Sequence, residues 1–337
     1  MPDSSIFRCV LLTGATGFLG SAVARALLDA GHGVRALVRA ETPRHVLDGL
    51  PIDYAPGDLL DPASVTAAMR GADAVVHCAA DYRLWVPDPA RMAAVNVTGT
   101  ETLMRAALAA GVKRAVHVSS VATLKPRPDG TPADETDAAR PEEAIGPYKR
   151  TKVEAERAVE RLVAEQGLPA VIANPSTPIG PRDVRPTPTG RVLLDAARGK
   201  VPGYVDTGLN LVHADDCARG IVAALERGRI GERYILGGQD VTLRELLLET
   251  GRLAGRSARP VPLPRGPLYP LALGMEGWAR LTGKEPLLTR DALRMSRYRM
   301  FFSSAKAARE LGHAARPWEE AVADALDWFR LRGMLPA

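Results

Sequence analysis

Short apolar runs alternate with longer amphipathic ones through the first half of the chain. Residues 7–13 (FRCVLLT), 34–38 (VRALV), 74–78 (AVVHC), 115–118 (AVHV) and 170–173 (AVIA) are brief and nearly continuous in apolar character. Runs of this kind predict strands buried on both faces. A further short strand is expected just before Gly57. Between the runs, helices are expected at 21–30, 63–69, 102–110 and 148–164. In the first, Val23, Leu27 and Leu28 share a face and Gly31 supplies the stop. Thr98-Gly99-Thr100-Glu101 has capping-box spacing and is expected to start the third. Strand and helix in alternation predict right-handed crossovers and an α/β fold with a doubly wound parallel sheet.

The texture changes after Asn174-Pro175. Prolines crowd in at 175, 178, 181, 186 and 188, and again at 260, 262, 264, 267 and 270. Residues 231–238 (GERYILGG) still read as a sheet strand, so the chain is expected to return once to the first domain. Stretches 243–253, 268–281 and 319–330 predict helices of a smaller, mostly helical lobe. The expected division is therefore 1–175, with the returning strand, and 176–337.

Composition narrows the class. The chain has 337 residues, with 44 Lys+Arg against 39 Asp+Glu, a formal net charge of +5, 46% apolar and 25% charged residues. That is globular composition. No stretch is apolar enough to span a bilayer. The chain runs straight into a strand, leaving no room for a signal peptide, so a soluble cytoplasmic protein is expected. Cys9, Cys78 and Cys217 are odd in number and far apart, which offers neither a disulfide framework nor a metal knuckle. His77, His117 and His213 lack ligand spacing, so no metal is expected. The basic residues are scattered and aromatics make up 5%, which argues against nucleic acid. The mild basic bias leaves room for an anionic substrate or membrane surface.

Candidate chemistry begins in the turn after the first strand, Thr13-Gly14-Ala15-Thr16-Gly17-Phe18-Leu19-Gly20. Glycines there let the backbone approach a pyrophosphate at a helix N-terminus. The spacing is G-x-x-G-x-x-G, one residue wider than the G-x-G-x-x-G dinucleotide fingerprint. At the end of the second strand stands Arg39 where an acid would hold a bare ribose. A guanidinium matches a 2′-phosphate, so NADP(H) is preferred over NAD(H), unless Arg39 merely decorates a strand end. Asp58 is placed to meet the adenine amino group, or else to cap a helix.

Tyr148 and Lys152 stand four apart on the long helix and so share a face. A nearby ammonium lowers a phenol's pKa, and Lys152 is expected to do this for Tyr148 as general acid or base. Upstream, Ser119-Ser120 end a strand at the sheet edge where ligands bind. Ser120 is expected to hold the reacting oxygen, Ser119 to be a structural hydrogen bonder, and Thr123 to be an extra donor. Asp215-Asp216 are expected to cap the following helix. Tyr82, Trp85, Asn174 and Tyr298 are candidate substrate contacts.

The set TGATGFLG, Gly57-Asp58, His77-Cys-Ala-Ala80, Asn96-Val-Thr-Gly-Thr100, Ser119-Ser120 and Tyr148-x-x-x-Lys152 resembles the extended short-chain dehydrogenase/reductase superfamily. That superfamily includes nucleotide-sugar epimerases, dehydratases and dihydroflavonol reductase-like enzymes. The resemblance implies cofactor contacts from Gly14, Thr16, Gly17, Phe18, Leu19 and Gly20 at the pyrophosphate. It puts Asp58 and Leu59 at the adenine, Ala79 and Ala80 near the ribose, and Pro175 and Thr177 near the nicotinamide. Tyr148 and Lys152 would touch cofactor as well as substrate. Asn96 would support the site, and a homodimer would form through helices 98–110 and 148–164. A narrower set includes Ala79-Ala-Asp-Tyr-Arg-Leu-Trp85, Asn174-Pro-Ser-Thr-Pro-Ile-Gly-Pro-Arg182 and Met300-Phe-Phe-Ser-Ser-Ala-Lys306. It is similar to the hopanoid-associated sugar epimerase family and implies a substrate in hopanoid metabolism.

Three functions follow as expectations. The first is an NADP(H)-dependent oxidoreductase acting between a carbonyl and a secondary alcohol of a sugar- or hopanoid-linked small molecule. The second is an NAD-retaining sugar epimerase working through a keto intermediate. The third is a non-catalytic dinucleotide-binding module. Residues 260–281 are unusually apolar and proline-rich, fit for a lid, a lipid-linked substrate site or peripheral membrane contact.

Overall fold

Seven parallel strands make the central sheet of the computed structural model, which describes residues 6–257 and 259–336. They are β1 (Val10–Thr13), β2 (Val34–Val38), β3 (Ile52–Pro56), β4 (Ala74–His77), β5 (Arg114–Val118), β6 (Ala170–Pro175) and β10 (Arg233–Leu236). Their order is β3-β2-β1-β4-β5-β6-β10, so the winding reverses between β1 and β4. A crevice opens there at the carboxyl ends of the strands, the place where doubly wound sheets bind ligands. The expected parallel sheet and its returning strand are both present. The first strand is shorter than its apolar run, because Phe7 turns its N–H to His32 Nδ1 at 3.1 Å.

Helices cover both faces, as continuous apolar strands require. On one side α1 (Phe18–Asp29) and α7 (Ala214–Arg227) pack through Val23, Leu27, Ile221 and Leu225. On the other, α2 (Pro62–Met69), α4 (Gly99–Ala109) and α5 (Gly146–Gln166) pack through Met69, Leu103, Met104, Val159 and Leu162.

The chain enters α4 without a cap. The helix α3 (Pro89–Ala93) runs through a π turn, Ala94–Thr98, directly into α4. Thr98 is helical (φ −63°, ψ −42°), and Glu101 pairs with Arg105 one turn on. The capping-box expectation fails because the upstream residues were already helical. A π turn inserts an extra residue into a helix and re-aims its side chains; here it aims Asn96 inward.

Beyond β6 a second sheet forms from β7 (Thr177–Ile179), β9 (Gly208–His213), β11 (Gln239–Thr242) and β13 (Arg299–Met300). It is clasped by α6 (Pro188–Ala197), α8 (Leu243–Leu253) and α12 (Trp318–Leu331). A two-stranded ribbon joins β8 (Gly203–Tyr204) to β12 (Val261–Pro262). The helices α9 (Arg265–Thr282) and α10 (Arg290–Met295) form its outer edge. Meanwhile α7, β10 and α11 (Ala305–Leu311) return to the large sheet, which therefore draws on much more of the chain than its first 175 residues. His213, rather than Asp215 or Asp216, caps α7, its Nδ1 accepting from the Asp215 N–H. Asp216 sits in the first turn and holds Arg316.

Candidate active site

The crevice between β1 and β4 is lined by the glycine turn. Gly14 has φ +72°, and a Cβ there would stand 2.7 Å from the Ala79 backbone N. Only glycine accepts both that conformation and that approach. A Cβ on Gly20 would meet the Gly14 carbonyl oxygen at 2.0 Å, so Gly20 seats α1 against the turn. Gly17 is exposed at the N-cap with no side-chain cap, and the first turn of α1 has no acid. The opening N–H groups of α1, at Phe18 and Leu19, are thereby left for a ligand. This cradle fits a pyrophosphate.

Around it lie the other expected cofactor positions. Thr16, Asp58, Ala79 and Ala80 are half-buried, and Leu59 is buried. The Asp58 carboxylate accepts the Leu60 N–H at 2.9 Å, closing its own turn. Arg39 leaves the end of β2 into solvent, with only a 3.5 Å contact to Glu41. Pro175 ends β6 and Thr177 opens β7, half-buried.

Tyr148 and Lys152 lie on successive turns of α5. Burial raises the Tyr148 phenol above its ordinary value, and the nearby Ser120 hydroxyl opposes the rise. Lys152 is 4% exposed, and its Nζ donates to the Val118 carbonyl at 3.0 Å. Burial brings Lys152 down to about 8, opposed by Glu156 and Cys78. The expected lowering of Tyr148 by Lys152 is absent: the ammonium is aimed at β5, and Ser120 alone opposes the burial.

A buried scaffold holds this pair. Asn96 accepts the Asp81 N–H at 2.7 Å and donates to the Asp81 carbonyl at 2.9 Å and to Thr151 Oγ1 at 3.0 Å. Thr151 in turn donates to the Tyr148 carbonyl at 2.9 Å. On the far side, Glu156 is 1% exposed and accepts from Thr123 at 3.0 Å and Asn174 at 2.8 Å. Asn174 also donates to the Ser120 carbonyl at 3.1 Å.

Three expectations are corrected by this network. Thr123 is spent on Ser120 and Glu156, so it offers no extra donor to a substrate. Asn174 is fully buried and is a brace of the Ser120 turn, not a substrate contact. Ser119, expected to bond structurally, has a buried hydroxyl with no partner among the described residues. Glu156 was missed, although 148, 152 and 156 form one readable helical stripe.

Beneath the site, His77 bridges Thr13 Oγ1 at 2.7 Å and Thr100 Oγ1 at 2.8 Å. Burial lowers it to about 3, and lowers His117 beside it as well, so both rings are neutral next to Lys152. At the mouth, Tyr82 is exposed and Trp85 half-buried in the loop after β4. Asp183, which the sequence reading passed over, faces Tyr82 and Arg191; burial raises its carboxyl to about 6 while Thr187 N–H and hydroxyl hold it. Tyr298 is exposed between α10 and β13, bonded through its carbonyl to Thr207. Among the described residues no cluster of His, Cys, Asp or Glu could hold a metal ion.

Comparison with known proteins agrees with this geometry. The NAD-dependent epimerase/dehydratase family matches residues 10–237. A Synechocystis sp. protein named after dihydroflavonol 4-reductase is 40% identical, covering 96% of this chain and 95% of its own. Sterol demethylase protein B of Methylococcus capsulatus is 35% identical, over 96% of this chain and 99% of its own. The crystal structure of gox2253 has 52% identity and a TM-score of 0.88, covering 97% of this chain and 99% of that one. The chain is an enzyme and belongs to the NAD-dependent epimerase/dehydratase family of extended short-chain dehydrogenase/reductases.

Proposed function

We propose that this enzyme is an NADP(H)-dependent carbonyl reductase whose substrate is largely apolar. The observation that carries the reading is the placement of Tyr148 one helical turn before Lys152 on α5, its phenol raised by burial and eased by the neighbouring Ser120. A phenol that keeps its proton at neutral pH is the form that gives a proton to a carbonyl oxygen. Ser120 would donate to that oxygen and position it, and Lys152, whose ammonium is anchored on the Val118 carbonyl, would hold the cofactor side of the site. The nicotinamide, when bound, supplies the hydride. The Gly14–Gly20 cradle, Asp58, Ala79, Ala80, Pro175 and Thr177 would hold the dinucleotide, and Arg39 favours a 2′-phosphate.

An apolar substrate is supported by the exposed Leu271, Leu273, Trp278 and Leu281 on the second lobe and by a relative named for a sterol. A hopanoid-linked carbonyl compound belongs to that chemical class. Tyr82 and Trp85, in the loop that follows Ala79 and Ala80, would meet such a substrate, and the buried Asp183 lies behind Tyr82. A twofold dimer through α4 and α5 accompanies the reading by family resemblance.

Native mass spectrometry separates this reading from epimerisation. The reductase is expected to emerge without bound NAD, to take up added NADPH, and to oxidise it when offered an apolar ketone. NAD retained through purification, with no NADPH consumed by any ketone, would contradict the proposal.

A further inference from the structure

The outer side of α9 is apolar where a solvent-facing helix is ordinarily polar. Ala272, Glu276 and Ala279 face inward and are buried. Leu271, Leu273, Trp278 and Leu281 face out, Trp278 being 66% and Leu281 83% exposed, with Gly274 and Gly277 between them. Leu287, just beyond, is 92% exposed. Such side chains occur singly on soluble surfaces, but an aligned set of this kind marks a docking face.

Charge points to the partner. From Arg259 to Lys284 the only acid is Glu276, and it is turned inward, accepting from the Arg290 N–H at 2.7 Å and Nε at 2.8 Å. Arg259, Arg280 and Lys284 are exposed and make no salt bridge among the described residues. The next acid, Glu285, is paired with Arg191 at 2.6 Å; an apolar helix face carrying Trp and Leu and rimmed by cations matches an interfacial helix at an anionic bilayer. A second copy of the chain fits less well, because pairing through this face would bring the cations Arg280 and Lys284 of both copies into one interface with no outward acid of α9 to meet them.

The position is also apt. The carboxylate of Asp291, in α10 on which α9 packs, lies 3.0 Å from where a Cβ on Gly146 would stand, two residues before Tyr148. α10, the support of α9, therefore reaches the start of the helix that carries Tyr148. We propose that α9 seats the enzyme on anionic lipid bilayers through Leu271, Leu273, Trp278 and Leu281, with Arg280 and Lys284 at the headgroups. The proposal does not depend on which carbonyl compound is reduced.

Cosedimentation of the full chain with vesicles tests it, using phosphatidylcholine alone and phosphatidylcholine mixed with phosphatidylglycerol. Binding is expected on the mixed vesicles, with a blue shift of tryptophan emission. Trp278→Ser/Leu281→Ser, at exposed positions and with an unchanged Tm, should weaken it more than about tenfold. Arg280→Gln/Lys284→Gln should cost about fivefold per charge on the mixed vesicles and little on the neutral ones. Absence of binding by the native protein, or binding by Trp278→Ser/Leu281→Ser equal to native, overturns the proposal. So does a dimer in lipid-free buffer that this variant converts to monomer while vesicles capture neither form, since a second copy would then be the occupant.

Discussion

Asn96 Nδ2 donates to the Thr151 hydroxyl across 3.0 Å, tying the π turn of one helix to the turn of α5 between Tyr148 and Lys152. The same side chain clasps the Asp81 backbone in both directions, so one amide sets the loop after β4 and the helix of Tyr148 together. Asn96→Ala removes three buried hydrogen bonds. The expected cost is about 1–3 kcal/mol of stability, since buried partners are left unpaired. Misplacing the phenol should lower kcat by more than about tenfold. Steady-state kinetics at a temperature where the variant remains folded will show whether kcat falls while NADPH affinity holds.

Lys152 introduces an alkaline limit. Its ammonium is brought down to about 8 by burial, so the cation is present below that pH and is lost as pH rises through it. If the cation supports the proton donor, kcat/KM should fall above about pH 8, and Lys152→Met should be slow throughout with that limb removed. A native profile flat past pH 9 or so would separate the lysine's charge from catalysis.

Asp183 makes the opposite kind of contribution to folding. Its carboxyl goes from an ordinary 3.8 to about 6, so the folded protein binds more protons than the unfolded one between those values. Stability should therefore decline as pH rises across that window, by about 3 kcal/mol in total. Chemical denaturation at stepped pH would record the slope, and Asp183→Asn should flatten it.

Gly20→Ala tests the glycine turn. The added methyl carbon would lie 2.0 Å from the Gly14 carbonyl oxygen, and this is backbone that cannot swing aside. A loss of about 3 kcal/mol is expected, with weakened NADPH binding, from the displacement of α1. Gly17→Ala, whose Cβ would meet only Gly14 O at 3.2 Å, should fold nearly normally and affect binding more than stability.

Arg39 stands in solvent at the end of β2, where a charge-assisted bond to a 2′-phosphate would be worth about 1.5–3 kcal/mol. Arg39→Asp should thus lower the NADPH-over-NADH preference by about tenfold or more. Equal ratios in native and variant enzyme would make the arginine ornamental.

Much of the large sheet was readable in advance because its signals are local. Short apolar runs marked β2 and β4 within a residue, and the amphipathic period marked α8 at Leu243 and Leu253. Tyr148 and Lys152 were visible for the same reason, being neighbours on one helix. What the pattern could not carry were pairings between distant segments. Thr98–Glu101 has the spacing of a cap, yet the helix starts ten residues earlier, at Pro89. Asn174 and Thr123 are polar residues near a predicted site, and only the buried carboxylate of Glu156 reveals that they brace it. Serine and asparagine look alike on a ligand and in a scaffold until their partners are known.

The most direct measurement is carbonyl reduction by Tyr148→Phe, followed by NADPH oxidation, alongside NADPH titration of the same variant. Removal of one hydroxyl should abolish turnover while leaving NADPH affinity within about twofold of native, because the phenol's proton serves the chemical step. Turnover at the native rate in that variant would contradict the assignment of Tyr148 as the proton donor.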